Sequence, residues 1–214
     1  RKQLVNILLS GYGQVGNDSP ITPANRYFNP EMKQHSYDPD KARYFLKQAG
    51  LDSLSVTLHA ANAAFPKAVD TAMLFRESAA KAGIDIKVAR EPDDGYWSNV
   101  WLKKPFCTCY WQGRPTEDMM FTTAYAGDAP WNDTHWKNKR FNTLLVEART
   151  ELDSDRRRDM YWEMQKIVRD DGGTIIPVYA QYVFATRSSV AHGPLSSNRD
   201  IDGWKSMERW WRTD

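Results

Sequence analysis

The stretch from residue 54 to residue 90 most narrows what this chain can fold into. In SLSVTLHA, Leu54, Val56 and Leu58 alternate with polar residues, and IDIKVAR, residues 84–90, alternates again. A period of two is the mark of a half-buried strand. Between them, Pro66 to Gly83 carries Val69, Met73 and Ala80 at helical spacing, with a glycine where the helix should stop. Strand, helix, strand reads as a βαβ unit, so a parallel pair with a right-handed crossover is expected. That places the chain in the α/β class, with a mixed sheet and flanking helices.

The remaining segments support the same class. In YDPDKARYFLKQAG, Asp38 suits an N-cap, Pro39 the first helical position and Gly50 the position after the C-cap. Ala42, Phe45, Leu46 and Ala49 form its apolar stripe. Two stronger helices are predicted over roughly 138–151, with Phe141, Leu144, Leu145, Ala148 and Leu152 inward, and over 154–171. The second has Met160, Tyr161, Met164, Ile167 and Val168 as its stripe and Gly172-Gly173 as its stop. DDGYWSNVWLKK and EDMMFTTAYAG read as short helices. FCTCYW (106–111), TIIPVYA and QYVFATR read as strands, and the tail reads as a loop with a short aromatic end. KQLVNILLSG reads as the end of a helix. Gly11 to Pro30 reads as an irregular connector, and one that long is functional or crosses between domains.

Composition removes several functions. A net charge of +2 argues against a nucleic-acid or membrane binder acting through bulk charge. The run free of charge and glycine at residues 174–186 contains a proline and is too short to span a bilayer. Cys107 and Cys109 read as two buried thiols, and His35, His59, His135 and His192 lack metal-ligand spacing. GYGQVG (11–16) resembles a phosphate loop but follows a helix and lacks the Lys-Ser/Thr ending, so it reads as a flexible connector. Glu117-Asp118 and Arg156–Arg158 read as inert surface charge. No nucleophile or metalloprotease motif is present, which disfavours an enzyme.

The positive signal is aromatic. Of the nine tryptophans, Trp97, Trp101, Trp111, Trp131 and Trp136 fall between residues 96 and 136. Tryptophan is rarely fully buried, because its N–H needs a partner, so a local surplus suits a cavity wall. CYWQGRPTED adds a glycine, a guanidinium and a helix start that could hold an anion, all at an expected strand end. Tyr110, Trp111, Gly113, Arg114, Asp118, Trp131 and Asn132 are therefore the candidate ligand-binding residues. No cofactor is called for.

These motifs, in order, resemble the C-terminal portion of the family 5 extracellular solute-binding proteins, receptors of dipeptide, oligopeptide and nickel ABC importers. The similar runs are LLSGYGQVGNDSPITP, YDPDKARYFLKQAG, KAGIDIKV, CYWQGRPTEDMMF, FNTLLVEARTELDSDRRRDMYWEMQKIVRDDGGTIIPVY and VAHGPLSSNRDIDGWKSMERWW. The resemblance implies one lobe of a two-lobed, type II-like periplasmic binding protein. Residues 1–16 would be a helix end and connector from the other lobe, 17–188 the ligand-binding α/β lobe and 189–214 a return to the other lobe. Residue 1 is arginine and no leader pattern opens the chain, which reads as a processed start or a piece of something longer. The implied activity is capture of a peptide or similar solute and its delivery to a membrane permease, by a monomer that is periplasmic or membrane-tethered outside the cytoplasm. It would be no enzyme and would bind no nucleic acid.

In oligopeptide-binding members of the family, an acidic residue four positions before a Pro-Thr pair receives the peptide amino group. Here that position is Trp111, before Pro115-Thr116. Trp111 stacking with Arg114 or Asp118 fixing a charge is the alternative expected. An oligosaccharide or opine ligand stays open, as do an envelope hydrolase with its catalytic residues elsewhere and a chaperone-like peptide holder.

Overall fold

A computed structural model describes residues 1–197 and 199–213. After a π-helical turn, Leu4–Leu8, come β1 (Gly13–Val15), α1 (Pro39–Gln48), β2 (Leu54–Ala60), α2 (Ala68–Ala80) and β3 (Ile84–Arg90). They are followed by α3 (Tyr96–Asn99), α4 (Glu117–Ala124), α5 (Lys139–Thr150), α6 (Ser154–Asp171), β4 (Val178–Ala180) and β5 (Val190–His192). A turn at Asp200–Trp204, a short helix at Ser206–Arg209 and β6 (Trp210–Arg212) close the chain. The chain divides into two units: residues 1–10 with 34–110, and residues 11–33 with 111–214.

The first unit is built on the expected βαβ. β2 and β3 pair in parallel from Leu54↔Ile84 to Ala60↔Arg90. Leu58, Ala60, Ala72, Ala79 and Ile86 form the core between this ladder and α2. The buried face of α2 is Ala68, Ala72 and Ala79, while Met73 is 37% exposed and Ala80 is exposed. The expected face is therefore turned by one residue: alanines let the helix lie close on the ladder, and Val69 and Phe75 flank the contact. α1 starts and stops as expected. Asp38 accepts from Lys41 N–H at 2.9 Å, and Gly50 has φ +73°. Its apolar stripe is not a core face, since no residue of α1 is buried and Phe45 is 57% exposed. An amphipathic pattern is buried only where another element covers it. FCTCYW is not a strand. Its ladder contact is a single parallel bridge, His59↔Cys107, and both cysteines are half-buried and outside any disulfide.

The second unit packs α4, α5 and α6 around Phe121, Phe141, Leu144, Leu145, Tyr161, Met164 and Val168. Phe121 sits at the centre, with ring edges on Tyr125 and Phe141 and a stacked contact to Tyr161. Leu152 lies beyond the end of α5 and is 90% exposed, against expectation. α6 is capped by Asp153, whose Oδ1 accepts from the amides of Asp155 and Arg156. GYGQVG holds a strand rather than a flexible loop: β1 pairs antiparallel with β4. Gly16 donates to Pro177 O at 2.8 Å, and a Cβ there would lie 2.3 Å from Ile176 O, so only glycine fits. QYVFATR is not a strand. The tail is more ordered than a loop, because β5 and β6 pair antiparallel and enclose a left-handed turn at Ile201–Trp204. Buried Asp202 ties that turn together, accepting from Ser196 N–H at 2.6 Å and Trp210 Nε1 at 3.1 Å, with Arg209 Nη1 at 3.1 Å.

Candidate functional site

Residues 111–116 of the second unit have no regular secondary structure, so the expected strand end is absent. Side chains shape the segment instead. The Trp111 ring packs on the unit's core, and its Nε1 donates to Asp133 Oδ2 at 3.2 Å. Trp131 lies beside it, 6.1 Å between ring centroids and tilted by 49°, and is 50% exposed. Arg114 lies over the Trp111 ring at 5.8 Å, a cation–π contact of ~0.5–1 kcal/mol at an exposed site. Its Nη1 donates to Gln112 O at 2.9 Å and Gly113 O at 3.4 Å. Burial and the like charge of Arg199 hold the Arg114 guanidinium below its ordinary pKa, with Tyr182 acting the other way. The result is a half-exposed face of two indoles and one guanidinium.

The other predicted residues are placed differently. Asp118 pairs with Arg149 at 2.7 Å, and Arg149 also donates to Thr122 Oγ1 at 2.6 Å. Asn132 is buried and organises its own loop, donating to Ala126 O and Trp136 O and accepting from Thr134 Oγ1. Tyr110 belongs to the first unit, where its exposed ring meets the edge of Trp97 at 5.6 Å. The start of α4 is not an open anion site. Thr116 Oγ1 caps Met119 N–H at 3.2 Å, and Glu117 and Asp118 already bring negative charge to that end.

Glu117 is no inert surface acid. It is 4% exposed, and its Oε1 accepts from Tyr27 N–H at 2.5 Å. Asn25, Asp133 and Glu117 were not among the candidate residues, although all three hold this face. Only Asn25 had a local signal, as an asparagine in a proline-rich turn. Among the described residues, no group of three or more His, Cys, Asp or Glu side chains is arranged to hold a metal ion. Nor is any helix long and apolar enough to cross a membrane.

Residues 1–133 match the family described as bacterial extracellular solute-binding proteins, family 5 Middle. The chain belongs to family 5. Among curated family 5 relatives, di/tripeptide-binding protein 4 of Pseudomonas aeruginosa is 26% identical over 84% of this chain and 36% of its own length. The dipeptide-binding protein of Escherichia coli is 25% identical over 87% of this chain and 36% of its own. The periplasmic binding protein DppA of Helicobacter pylori, solved with the peptide STSA, superposes with a TM-score of 0.81. It is 20% identical, covering 100% of this chain and 42% of that one. NikZ of Campylobacter jejuni, solved with Ni(L-His), gives a TM-score of 0.76 at 18% identity over 99% and 46%. The fold is thus that of two-lobed periplasmic binding proteins, and this family 5 chain spans less than half the length of these relatives.

Proposed function

We propose that this chain recognises the solute in an extracytoplasmic receptor that captures a small peptide and hands it to the permease of an ABC importer. The observation that carries this reading is the Trp111–Trp131 face with Arg114 across it. Indoles give broad apolar contact at low entropic cost, and a guanidinium suits a carboxylate, such as the C-terminal group of a short peptide. Burial and then the like charge of Arg199 disfavour the Arg114 cation, so an anion placed beside it is favoured. Peptide relatives in the same family support the class of solute. Asn132 holds the 126–136 loop that carries Trp131, whereas Asp118 is engaged by Arg149. On this reading the protein binds rather than catalyses and works in the periplasm. Residues 17–188 form the solute-binding lobe, and 189–214 return to the other lobe.

Native mass spectrometry of the complete receptor tests the function directly. A co-purifying peptide mass is expected, and a sugar or a metal complex in its place would refute the peptide class. Trp111→Ala should weaken binding of that peptide on the order of 30-fold or more, within the range of buried aromatic hot spots. An unchanged dissociation constant would remove this face from the site.

A further inference from the structure

An irregular segment has no ladder to fix its backbone, so something else must hold residues 112–116 in place. The turn at residues 22–29 does this. Asn25 donates from Nδ2 to Arg114 O at 3.2 Å, the carbonyl of the residue whose guanidinium crosses Trp111. The Asn25 amide is itself locked, its Oδ1 accepting from Thr22 N–H at 3.1 Å and Thr22 Oγ1 at 3.3 Å. Two residues on, Tyr27 N–H donates to the buried Glu117 Oε1 at 2.5 Å. The far side of the turn is bolted to α6. Asn29 N–H donates to Gln165 Oε1 at 3.0 Å, Gln165 Nε2 to Tyr27 O at 2.8 Å and Trp162 Nε1 to Phe28 O at 3.2 Å. The turn is therefore a bracket with one arm on α6 and the other on both ends of the Arg114–Glu117 stretch.

The chemistry of each contact suits a fixed geometry. A hydrogen bond to an ionised acceptor is roughly twice as strong as a neutral one, and Glu117 at the first position of α4 also faces that helix's positive end. A buried carboxylate held by a single backbone amide sets one distance rather than a range. An amide locked through both of its ends sets a direction.

We propose that Asn25 and Glu117 are positioning residues for the solute site. They fix the backbone of Gln112–Thr116 and so aim the Arg114 guanidinium across Trp111. This rests on reading the Trp111–Arg114 face as the place where solute binds.

The test labels the full chain with 5-fluorotryptophan and assigns the ¹⁹F resonances of Trp111 and Trp131 from Trp→Phe variants, with no solute present. Asn25→Asp keeps the acceptor toward Thr22 and puts a charged oxygen, which repels the Arg114 carbonyl, in place of the N–H that reaches it. It should shift the Trp111 and Trp131 resonances and leave those of Trp97 and Trp101 in place. Glu117→Ala should do the same, and Glu117→Gln, which retains an acceptor for Tyr27 N–H, should restore them. Unmoved Trp111 and Trp131 signals in Asn25→Asp would overturn the proposal, as would equal movement of all nine tryptophan signals. Should Glu117→Ala fail to fold, Asn25→Asp alone decides the matter. The solute reading fails on a different result, peptide affinity unchanged by Trp111→Ala, so the two failures are separable.

Discussion

Replacing Gln165 with methionine keeps the shape of a fully buried side chain and deletes its hydrogen bonds. Gln165 is 0% exposed, accepts from Asn29 N–H at 3.0 Å and donates to Tyr27 O at 2.8 Å and Tyr161 O at 3.0 Å. Tyr161 O lies within α6, where it keeps a helical acceptor role, so its loss is small. The other two partners are left as buried, unpaired backbone groups, each costing ~1–3 kcal/mol. The expected destabilisation is therefore about 2–6 kcal/mol, a large share of the ~5–15 kcal/mol that holds a domain together. At this chain length each kcal/mol moves Tm by ~2–4 °C, so a fall of about 4–24 °C is expected. Urea denaturation followed by tryptophan fluorescence and circular dichroism would measure it. Gln165→Glu, which buries a carboxylate with one oxygen facing the Tyr27 and Tyr161 carbonyls, should lose at least as much, and Gln48→Met on exposed α1 should change stability by under ~0.5 kcal/mol. A Gln165→Met protein within ~0.5 kcal/mol of the parent would refute the claim that this amide anchors the 22–29 turn.

Three further outcomes follow from the structure. Gly16→Ala should destabilise the β1–β4 pair by ~1–3 kcal/mol, because the new Cβ meets the Ile176 carbonyl at 2.3 Å; unaltered urea stability would contradict that close approach. The Asp202 carboxyl is held below its ordinary pKa, first by the Ser196 amide and then by Trp210 and Arg209. Its contribution is present above the unfolded carboxylate pKa and is lost as pH falls through the depressed folded value. Acid should therefore loosen the β5–β6 tail, read from Trp210 emission, and Asp202→Asn should abolish that transition. Burial raises the Tyr96 hydroxyl to about 12, against the pull of its Thr108 hydrogen bond. The folded state thus retains a proton that the unfolded chain releases near pH 10, and stability falls as pH rises from there toward 12. Tyr96→Phe should reduce that alkaline slope in pH-dependent denaturation, leaving the part due to Tyr161, which burial also raises to about 12.

Asp38, Pro39 and Gly50 delimit α1 as their sequence pattern predicts, because caps and stops act within a few residues of where they are written. The same holds for β2, β3 and α6, whose periods of two and about 3.6 are local properties of the backbone. The order of these elements, with the motifs around them, was enough to point to family 5.

Tertiary structure decided which faces are used. Phe45 carries the apolar stripe of α1 yet is exposed, whereas Ala72 and Ala79 are buried in place of Met73 and Ala80, because burial depends on what lies opposite. GYGQVG became a strand only because β4, more than 150 residues later, supplies its partner. The site divides in the same way. Tryptophan clustering and the unusual Trp111–Arg114 run were legible from composition and spacing. Asp118 and Asn132 were drawn away by Arg149 and by loop carbonyls that no local pattern reveals. Gln165, Glu117 and Asn25 form their contacts across 89–138 positions of chain, and a hydrogen bond that long in sequence leaves no periodic trace. The sequence by itself determined where α1, β2, β3 and α6 start and stop. Which side chains meet, and so which face can receive a solute, depends on distances that exist only once the chain has closed on itself.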